Sequence, residues 1–195
     1  MNALQAFLLG VFQGVTEFLP ISSSGHLVLA QRYLGLPYEE LLAFDVLLHG
    51  GTLLATMLLF WRELRDMLLI PFRSGTAAER RFVLWLVLAS VPAAAAGFFF
   101  EDWFAGFRSV SAIAVSFLLT GLLFLFVERW PRSKQAELGW RAVLAAGCFQ
   151  VLALLPGVSR SGITMAGGML AGTERAEAVR FSFFLGIPIT AGVVG

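Results

Sequence analysis

The sequence predicts an all-α integral membrane protein: an inverted-topology repeat in which two opposed re-entrant helical hairpins sit among transmembrane helices. Three observations predict it. The chain is 58% hydrophobic and 14% charged, where soluble domains carry roughly a quarter charged residues, and its mean hydropathy is +0.80. Its polar and ionisable residues gather in two stretches inside apolar surroundings, Gln13–His26 and Leu155–Thr164. Those stretches also match one another in register. The chain reads as a single polytopic membrane domain over 1–195, with a first repeat at about 1–130 holding a hairpin at 1–35. A second, incomplete repeat at about 139–195 holds a hairpin at 142–172.

Residues 1–18 read as an apolar helix ending near Pro20, and 22–35 as a second short helix with Ser22, Ser23 and Ser24 available as N-caps. Neither limb reaches the ~20 residues that a full span needs. Two short limbs broken by Pro and Gly make a re-entrant hairpin, whose irregular backbone survives only where protein or a wet cavity satisfies it. Leu41–Trp61 is long enough to span and carries Asp45 and His49, four apart and so on one face. Phe82–Phe100 is uncharged and spans, with a kink expected at Pro92. Val110–Val127 is another uncharged span. Leu144–Leu155 followed by Ser161–Leu170 repeats the broken hairpin, and a further span begins at Phe181 and stops within itself at Gly195.

Charge orients these segments. The loop 62–81 holds Arg62, Arg65, Arg73, Arg80 and Arg81, and the loop 129–141 holds Arg129, Arg132, Lys134 and Arg141. Between them the 101–108 connection sets only Arg108 against Glu101 and Asp102. The positive-inside rule places the first two in the cytoplasm and the third outside. The first hairpin then enters from outside and the second from the cytoplasm. Shifting the chain by 137 positions lays Gly10, Phe12, Gln13, Ser22, Ser24 and Gly25 on Gly147, Phe149, Gln150, Ser159, Ser161 and Gly162. Gly35, Glu40, Phe44 and Leu48 fall on Gly172, Glu177, Phe181 and Leu185. Inverted repeats whose broken segments meet at the midplane mark a binding site. The register also shows where the halves differ: Glu17 faces Leu154, Ser23 faces Arg160, and His26 faces Ile163. One half keeps an acid and an imidazole, the other a guanidinium, as a single composite site requires.

Ionisable groups at membrane depth are expensive and therefore functional candidates. Gln13 and Glu17 share a helix face. They read either as a polar flank or as a metal ligand or polar anchor beside a carboxylate base. Ser22, Ser23 and Ser24 can cap the second helix, and one of them can be a nucleophile or a phosphate donor, with turn amides near Gly25 adding anion-binding dipoles. His26 is either a satisfied core residue or an acid/base group. Arg160 needs an anion: the fork of a guanidinium matches phosphate oxygens two at a time, and the alternative is a salt bridge to Glu17. Ser159, Ser161 and Thr164 can donate to the same phosphate. Asp45 and His49 either line the cavity or pack between helices, and Gly167, Gly168 and Gly172 allow close helix packing. Cys148 reads as a small core residue. A net charge of +1 without basic runs gives no sign of nucleic-acid binding. Met1-Asn2-Ala3 lacks a basic start and a cleavage site, so no cleaved signal peptide is expected.

These residues resemble the bacterial undecaprenyl-diphosphatase family of the bacitracin-resistance type. The family's Glu/Gln-x-x-x-Glu pattern stands here as Gln13 to Glu17, running into Phe-Leu-Pro-Ile-Ser-Ser-Ser-Gly-His, and its Pro-Gly-x-Ser-Arg-Ser-x-x-Thr pattern is complete at Pro156 to Thr164. The neighbourhoods of Phe44-Asp45-Val46, Leu48-His49 and Gly167-Gly168-Met169-Leu170 are similar too. The resemblance implies removal of the terminal phosphate from undecaprenyl diphosphate in the bacterial inner membrane. That reaction recycles the lipid carrier for cell-wall synthesis and confers bacitracin resistance. It implies dependence on a divalent cation, Mg²⁺ or Ca²⁺, with Glu17 and Gln13 as the expected ligands. Glu17, His26, Ser23 and Arg160 are the expected catalytic set. Gln13, Ser22, Ser24, Gly25, Ser159, Ser161, Thr164 and Asp45 are expected around the substrate. At position 13 the chain takes the amide option, and family members run beyond residue 195, so a C-terminally truncated chain is expected. The partners implied are the polyprenyl diphosphate and membrane lipids, with a homodimer left open. The alternative is a transporter or flippase of a polyprenyl-phosphate lipid.

Overall fold

The structure, a computed structural model, describes residues 1–37, 41–70, 75–107, 109–131 and 137–194. Among these it is all-helical, with α1 at Ala3–Phe18, α2 at Ser23–Tyr33, α3 at Leu42–Leu59, α4 at Trp61–Leu68 and α5 at Ala77–Ala105. The order continues with α6 at Val110–Arg129, α7 at Trp140–Leu152, α8 at Arg160–Leu170 and α9 at Arg175–Val194. Leu42–Leu59, Ala77–Phe100 and Val110–Arg129 are long and apolar enough to cross a bilayer, as a multi-pass membrane protein requires.

Burial runs opposite to that of a soluble protein. On α1 the buried positions are Leu9, Gln13 and Thr16, while Phe7, Leu8, Val11 and Val15 are exposed. Hydrocarbon does not penalise exposed Phe and Leu, so packing between helices is left to small and polar side chains. The α5–α7 contact shows this. A Cβ at Gly147 would lie 2.9 Å from the Ala89 carbonyl oxygen, so the two backbones touch, and Gln150 Nε2 donates to that oxygen at 3.3 Å. Ala89, Ala142, Val143, Ala146, Phe181 and Leu185 close the core around them.

The chain forms two short helical hairpins, α1–α2 and α7–α8, and their matched positions fold alike. Ser22 and Ser159 cap α2 and α8, accepting from Gly25 N at 3.4 Å and Gly162 N at 3.2 Å. At the other ends Gly35 and Gly172 take positive φ of +66° and +94°. There Leu36 N bonds Gln31 O and Thr173 N bonds Gly168 O, the double-bonded glycine stop of a helix. The hairpins meet at their tips: a Cβ at Gly25 would lie 2.9 Å from Gly157 Cα. α8 packs on α6, α7 and α9, and α9 on α3 and α5, so α3 and α9 flank the junction.

Several expectations are corrected. The loop 62–81 is partly helical: α4 follows α3 directly, because Trp61, Leu64 and Met67 alternate with Arg62, Glu63, Arg65 and Asp66 at helical spacing. The helix α5 keeps helical dihedrals through Pro92, and its non-helical residue is Phe100, with φ −128° and ψ 24°. Helices α7 and α9 begin at Trp140 and Arg175, earlier than their apolar runs suggest. Cys148 is exposed on α7 and is not a core residue; in an apolar solvent, hydrophobicity does not tell inside from outside. Glu40, Arg73, Arg108, Arg132 and Lys134, used above for register or orientation, lie outside the described residues.

Candidate active site

Glu17 occupies the last turn of α1, one residue before the helix gives way to Leu19-Pro20. The return into α2 passes through Ser22 with φ 67°. Among the described residues it is the one non-glycine residue with positive φ, a conformation that costs about 1–2 kcal/mol. Such strain, held by its surroundings, is typical of functional turns. It sets Ser23 at the first position of α2, where its hydroxyl donates to Glu17 Oε2. Gln13, one turn back on α1 and buried, donates its amide N–H to the same oxygen at 3.1 Å.

From the other hairpin, Arg160 opens α8 and places Nη2 2.9 Å from Glu17 Oε1. Residues 143 apart in sequence thus form one ion pair, with side chains 13% and 23% exposed. A carboxylate this enclosed needs a compensating charge, and breaking such a pair by removing one partner is costly. A fourth group comes from α3: His49 Nε2 stands 3.8 Å from Glu17 Oε2, and its Nδ1 lies 2.8 Å from the Asp45 carbonyl oxygen.

These groups surround a cavity of about 170 Å³, lined by Glu17, Ser22, Ser23, Ser24, His49, Ser159, Arg160 and Ser161, with Leu154, Ile189 and Thr190 closing it. The N-termini of α2 and α8 both open on it. First-turn amides have no partner within their helix, so two helix starts, a guanidinium and several hydroxyls converge where an anion would sit. A second cavity of about 20 Å³ is lined by the ion pair itself with Thr52, Thr56, Ser161 and Thr190, enough for a single water.

The structure therefore brings together Gln13, Glu17, Ser22, Ser23, Ser24, Ser159, Arg160 and Ser161. The arginine takes the salt bridge to Glu17 and also lines the cavity. Other expected residues lie apart from the cavity lining. His26 packs between Phe12 and Phe117, at ring distances of 6.1 and 4.7 Å, with Nδ1 2.8 Å from the Ser22 carbonyl oxygen. Asp45 accepts from Gln31 Nε2 at 2.6 Å. The Thr164 hydroxyl donates back to Arg160 O at 2.9 Å and meets Ser182 Oγ at 2.6 Å, tying α8 to α9. Gly25 serves by its backbone and its lack of a side chain.

Sequence reasoning left Thr190 unassigned and did not decide His49 between lining the cavity and packing between helices. His49 was visible as a polar position beside Asp45, but spacing alone does not say which of two residues on one face reaches a partner helix. Thr190 gave no signal, since a threonine in an apolar helix usually bonds its own backbone. Among the described residues no group of three His, Cys, Asp or Glu side chains is placed to hold a metal ion.

The family described as Bacitracin resistance protein BacA matches residues 6–195. An undecaprenyl-diphosphatase of Rubrobacter xylanophilus is 45% identical, covering 98% of this chain and 74% of that protein. One of Moorella thermoacetica is 42% identical with the same coverage. One of Gemmatimonas aurantiaca is also 42% identical, over all of this chain and 75% of its own length. The chain thus spans about three quarters of the length of these curated relatives. A match along nearly the whole chain, with both polar stretches inside it, decides the assignment: the chain belongs to the bacitracin resistance protein BacA family.

Proposed function

We propose that the protein is an undecaprenyl-diphosphate phosphatase, releasing inorganic phosphate and leaving the lipid monophosphate in the bacterial inner membrane. The observation that carries this reading is the meeting of Glu17 and Arg160 at 2.9 Å in a cavity onto which two helix N-termini open. Arg160, with Ser159, Ser161 and the two helix starts, would take the diphosphate oxygens. Glu17 would act as base toward the hydroxyl it already holds, that of Ser23, or toward water. A nucleophile within hydrogen-bond reach of its base is the geometry of an activated nucleophile, and the Ser23–Glu17 bond favours Ser23. Trapping ³²P on the protein, with Ser23→Ala as control, distinguishes a phosphoserine from direct attack by water. His26, whose Nδ1 lies 2.8 Å from the Ser22 carbonyl oxygen, packs between Phe12 and Phe117 outside the cavity lining, and would hold the Ser22 turn rather than meet the leaving group.

A divalent cation fits this residue set in a limited way. Mg²⁺ beside phosphates commonly takes one or two carboxylates, with substrate oxygens and water completing its shell, and Glu17 is the carboxylate of the cavity. Gln13 presents its N–H to Glu17, and its buried oxygen, unpaired among the described residues, faces away. Its role is to hold Glu17 in place. A bound Mg²⁺ or Ca²⁺ would neutralise charge developing on the phosphates.

The two hairpins are proposed as re-entrant, entering from opposite leaflets, with the substrate head at the midplane and the prenyl tail in lipid. The matched serine caps and glycine stops at a constant offset support the repeat. The relatives' names support hydrolysis over transport. The test is phosphate release from a prenyl diphosphate by the purified protein, with Arg160→Ala abolishing it; lipid binding without release would favour the transporter.

A further inference from the structure

Building on the phosphatase reading, we propose that Gly186 of α9 is a positioning residue: the space left by its missing side chain is the seat of the Arg160 guanidinium. A Cβ built at Gly186 would fall within bonding reach of Arg160 Nη1 and 2.6 Å from Cζ. The guanidinium thus occupies the place of a side chain on α9. Nothing in the backbone asks for glycine there. Gly186 is buried inside α9 and is not among the glycines with positive φ, and within a helix alanine is the better choice. Helix packing does not ask for it either. At Gly147 and Gly167 an added Cβ would strike the carbonyl oxygens of Ala89 and Ala145 at 2.9 Å. At Gly186 the three nearest heavy atoms all belong to the guanidinium, the third of them 3.1 Å away. With the arginine removed, an alanine at 186 would meet nothing closer than that.

The register of α9 brings the gap to the arginine. Ser182, Gly186 and Thr190 stand four apart and share one helix face. Ser182 Oγ donates to Ser161 O at 2.9 Å and meets the Thr164 hydroxyl at 2.6 Å, which pins that face to the start of α8. Thr190, one turn beyond Gly186, lines both cavities. Arg160 then reaches Glu17 through Nη2 at 2.9 Å with Nη1 set against α9. The offset of 137 that lays Ser23 on Arg160 also lays His49 on Gly186. One half therefore sets a serine and an imidazole around Glu17, and the other sets an arginine and no side chain. The larger group at one matched position goes with the smaller at the other.

A methyl group at 186 would press on the far end of a flexible side chain, so the helices stay and the guanidinium moves. Nη1 must retreat by about 2 Å to reach ordinary contact distance. The seat holds the head whichever anion it faces, Glu17 or phosphate. Losing it therefore takes the guanidinium from both, which separates this effect from that of neutralising Glu17.

The test makes Gly186→Ala in the purified protein, alone and on Arg160→Ala, and measures melting temperature, phosphate release from a prenyl diphosphate, and binding of a non-hydrolysable diphosphate analogue in chelator. With Arg160 present, Gly186→Ala should lower the melting temperature and weaken the analogue about 10- to 100-fold, the worth of one charge-assisted hydrogen bond. Phosphate release should fall about 10²-fold, as for a group misplaced by about 1 Å. On Arg160→Ala the same substitution should leave analogue affinity unchanged and leave or raise the melting temperature. A Gly186→Ala chain that cannot be purified, beside a double variant that can, supports the proposal equally. A melting temperature lowered in both backgrounds, or a double variant that does not fold where Arg160→Ala does, would make Gly186 a packing residue and overturn it. Wild-type affinity and release in Gly186→Ala would overturn it as well. Wild-type protein that binds the analogue and releases no phosphate would remove the phosphatase reading, with the melting comparison still deciding for or against Gly186.

Discussion

If Arg160 must let go of Glu17 to take a phosphate, neutralising Glu17 should tighten substrate binding while it stops turnover. Glu17→Gln keeps the shape and the hydrogen-bond reach of the side chain but removes its charge. The bond given up is a single charge-assisted contact of 2.9 Å between side chains 13% and 23% exposed, and such bonds are worth about 1.5–3 kcal/mol net. The incoming phosphates also approach a carboxylate; unit charges about 4 Å apart repel by about 4 kcal/mol at an effective dielectric of 20, and water in the cavity lessens that. Taking the hydrogen-bond figure alone, binding should tighten about 10- to 150-fold, at 1.4 kcal/mol per decade. Turnover should fall by about 10² to 10⁴, the usual contribution of a general base. The assay is calorimetric titration of detergent-solubilised protein with a non-hydrolysable prenyl diphosphate analogue, first in chelator and then with Mg²⁺. With the cation present the gain should shrink, because Glu17 is the proposed ligand. Equal or weaker binding by Glu17→Gln in chelator would refute the claim that the ion pair and the substrate compete for one guanidinium.

The remaining predictions concern the frame around that pair. Arg160→Ala should abolish phosphate release and also lower thermal stability, because it leaves the enclosed Glu17 carboxylate unpaired, a change costing about 3–5 kcal/mol at fully buried sites and less here. Adding Glu17→Ala to it should restore stability without restoring activity, which a melting curve and a phosphate assay read separately. Gly157→Ala should cost at least about 1–2 kcal/mol from its left-handed φ of +91° alone. The new Cβ would also lie 2.9 Å from the Ile113 carbonyl oxygen, so activity should drop with stability as Ser159 and Arg160 shift. Cys148→Leu should change stability by no more than about 0.5 kcal/mol, as at an exposed site; a loss of about 1–3 kcal/mol, the cost of overpacking a core, would show the thiol to be buried after all.

What was legible in the sequence depended on whether local chemistry or packing sets the outcome. Both hairpins were readable because Pro20, Pro156 and the serines after them end one helix and cap the next whatever surrounds them. Glu17 and Arg160 were readable because a charge in an apolar stretch needs an opposite one, and few stood in such stretches. The position of His26 was not legible. Three residues beyond Ser23, it turns from Glu17 toward Phe117 of α6, and nothing local records which neighbour lies on that side of α2. His49 was obscured for the complementary reason: its partner belongs to another helix. At Pro92 α5 keeps helical dihedrals, as a helix bent by a proline can. The break at Phe100 follows no local signal.

The likeness of the hairpins sharpens the meaning of their differences. Caps, stops and buried glutamines repeat at a fixed offset, yet at the junction the acid comes only from the first hairpin and the guanidinium only from the second. Each hairpin by itself therefore carries a charge it cannot satisfy: Glu17 would face Ser23 and Gln13, and Arg160 would have its own hydroxyls, with no counter-ion in either case. An unpaired charge in a low-dielectric setting costs several kcal/mol, while the pair at 2.9 Å removes much of that cost from both sides. The hairpin tips also touch through Gly25 and Gly157, where any larger side chain would hold them apart. Docking of the hairpins and assembly of the Glu17–Arg160 pair are thus one event. Substitutions at the two tip glycines should lower activity in proportion to how far they part Glu17 from Arg160, although neither glycine lines the cavity.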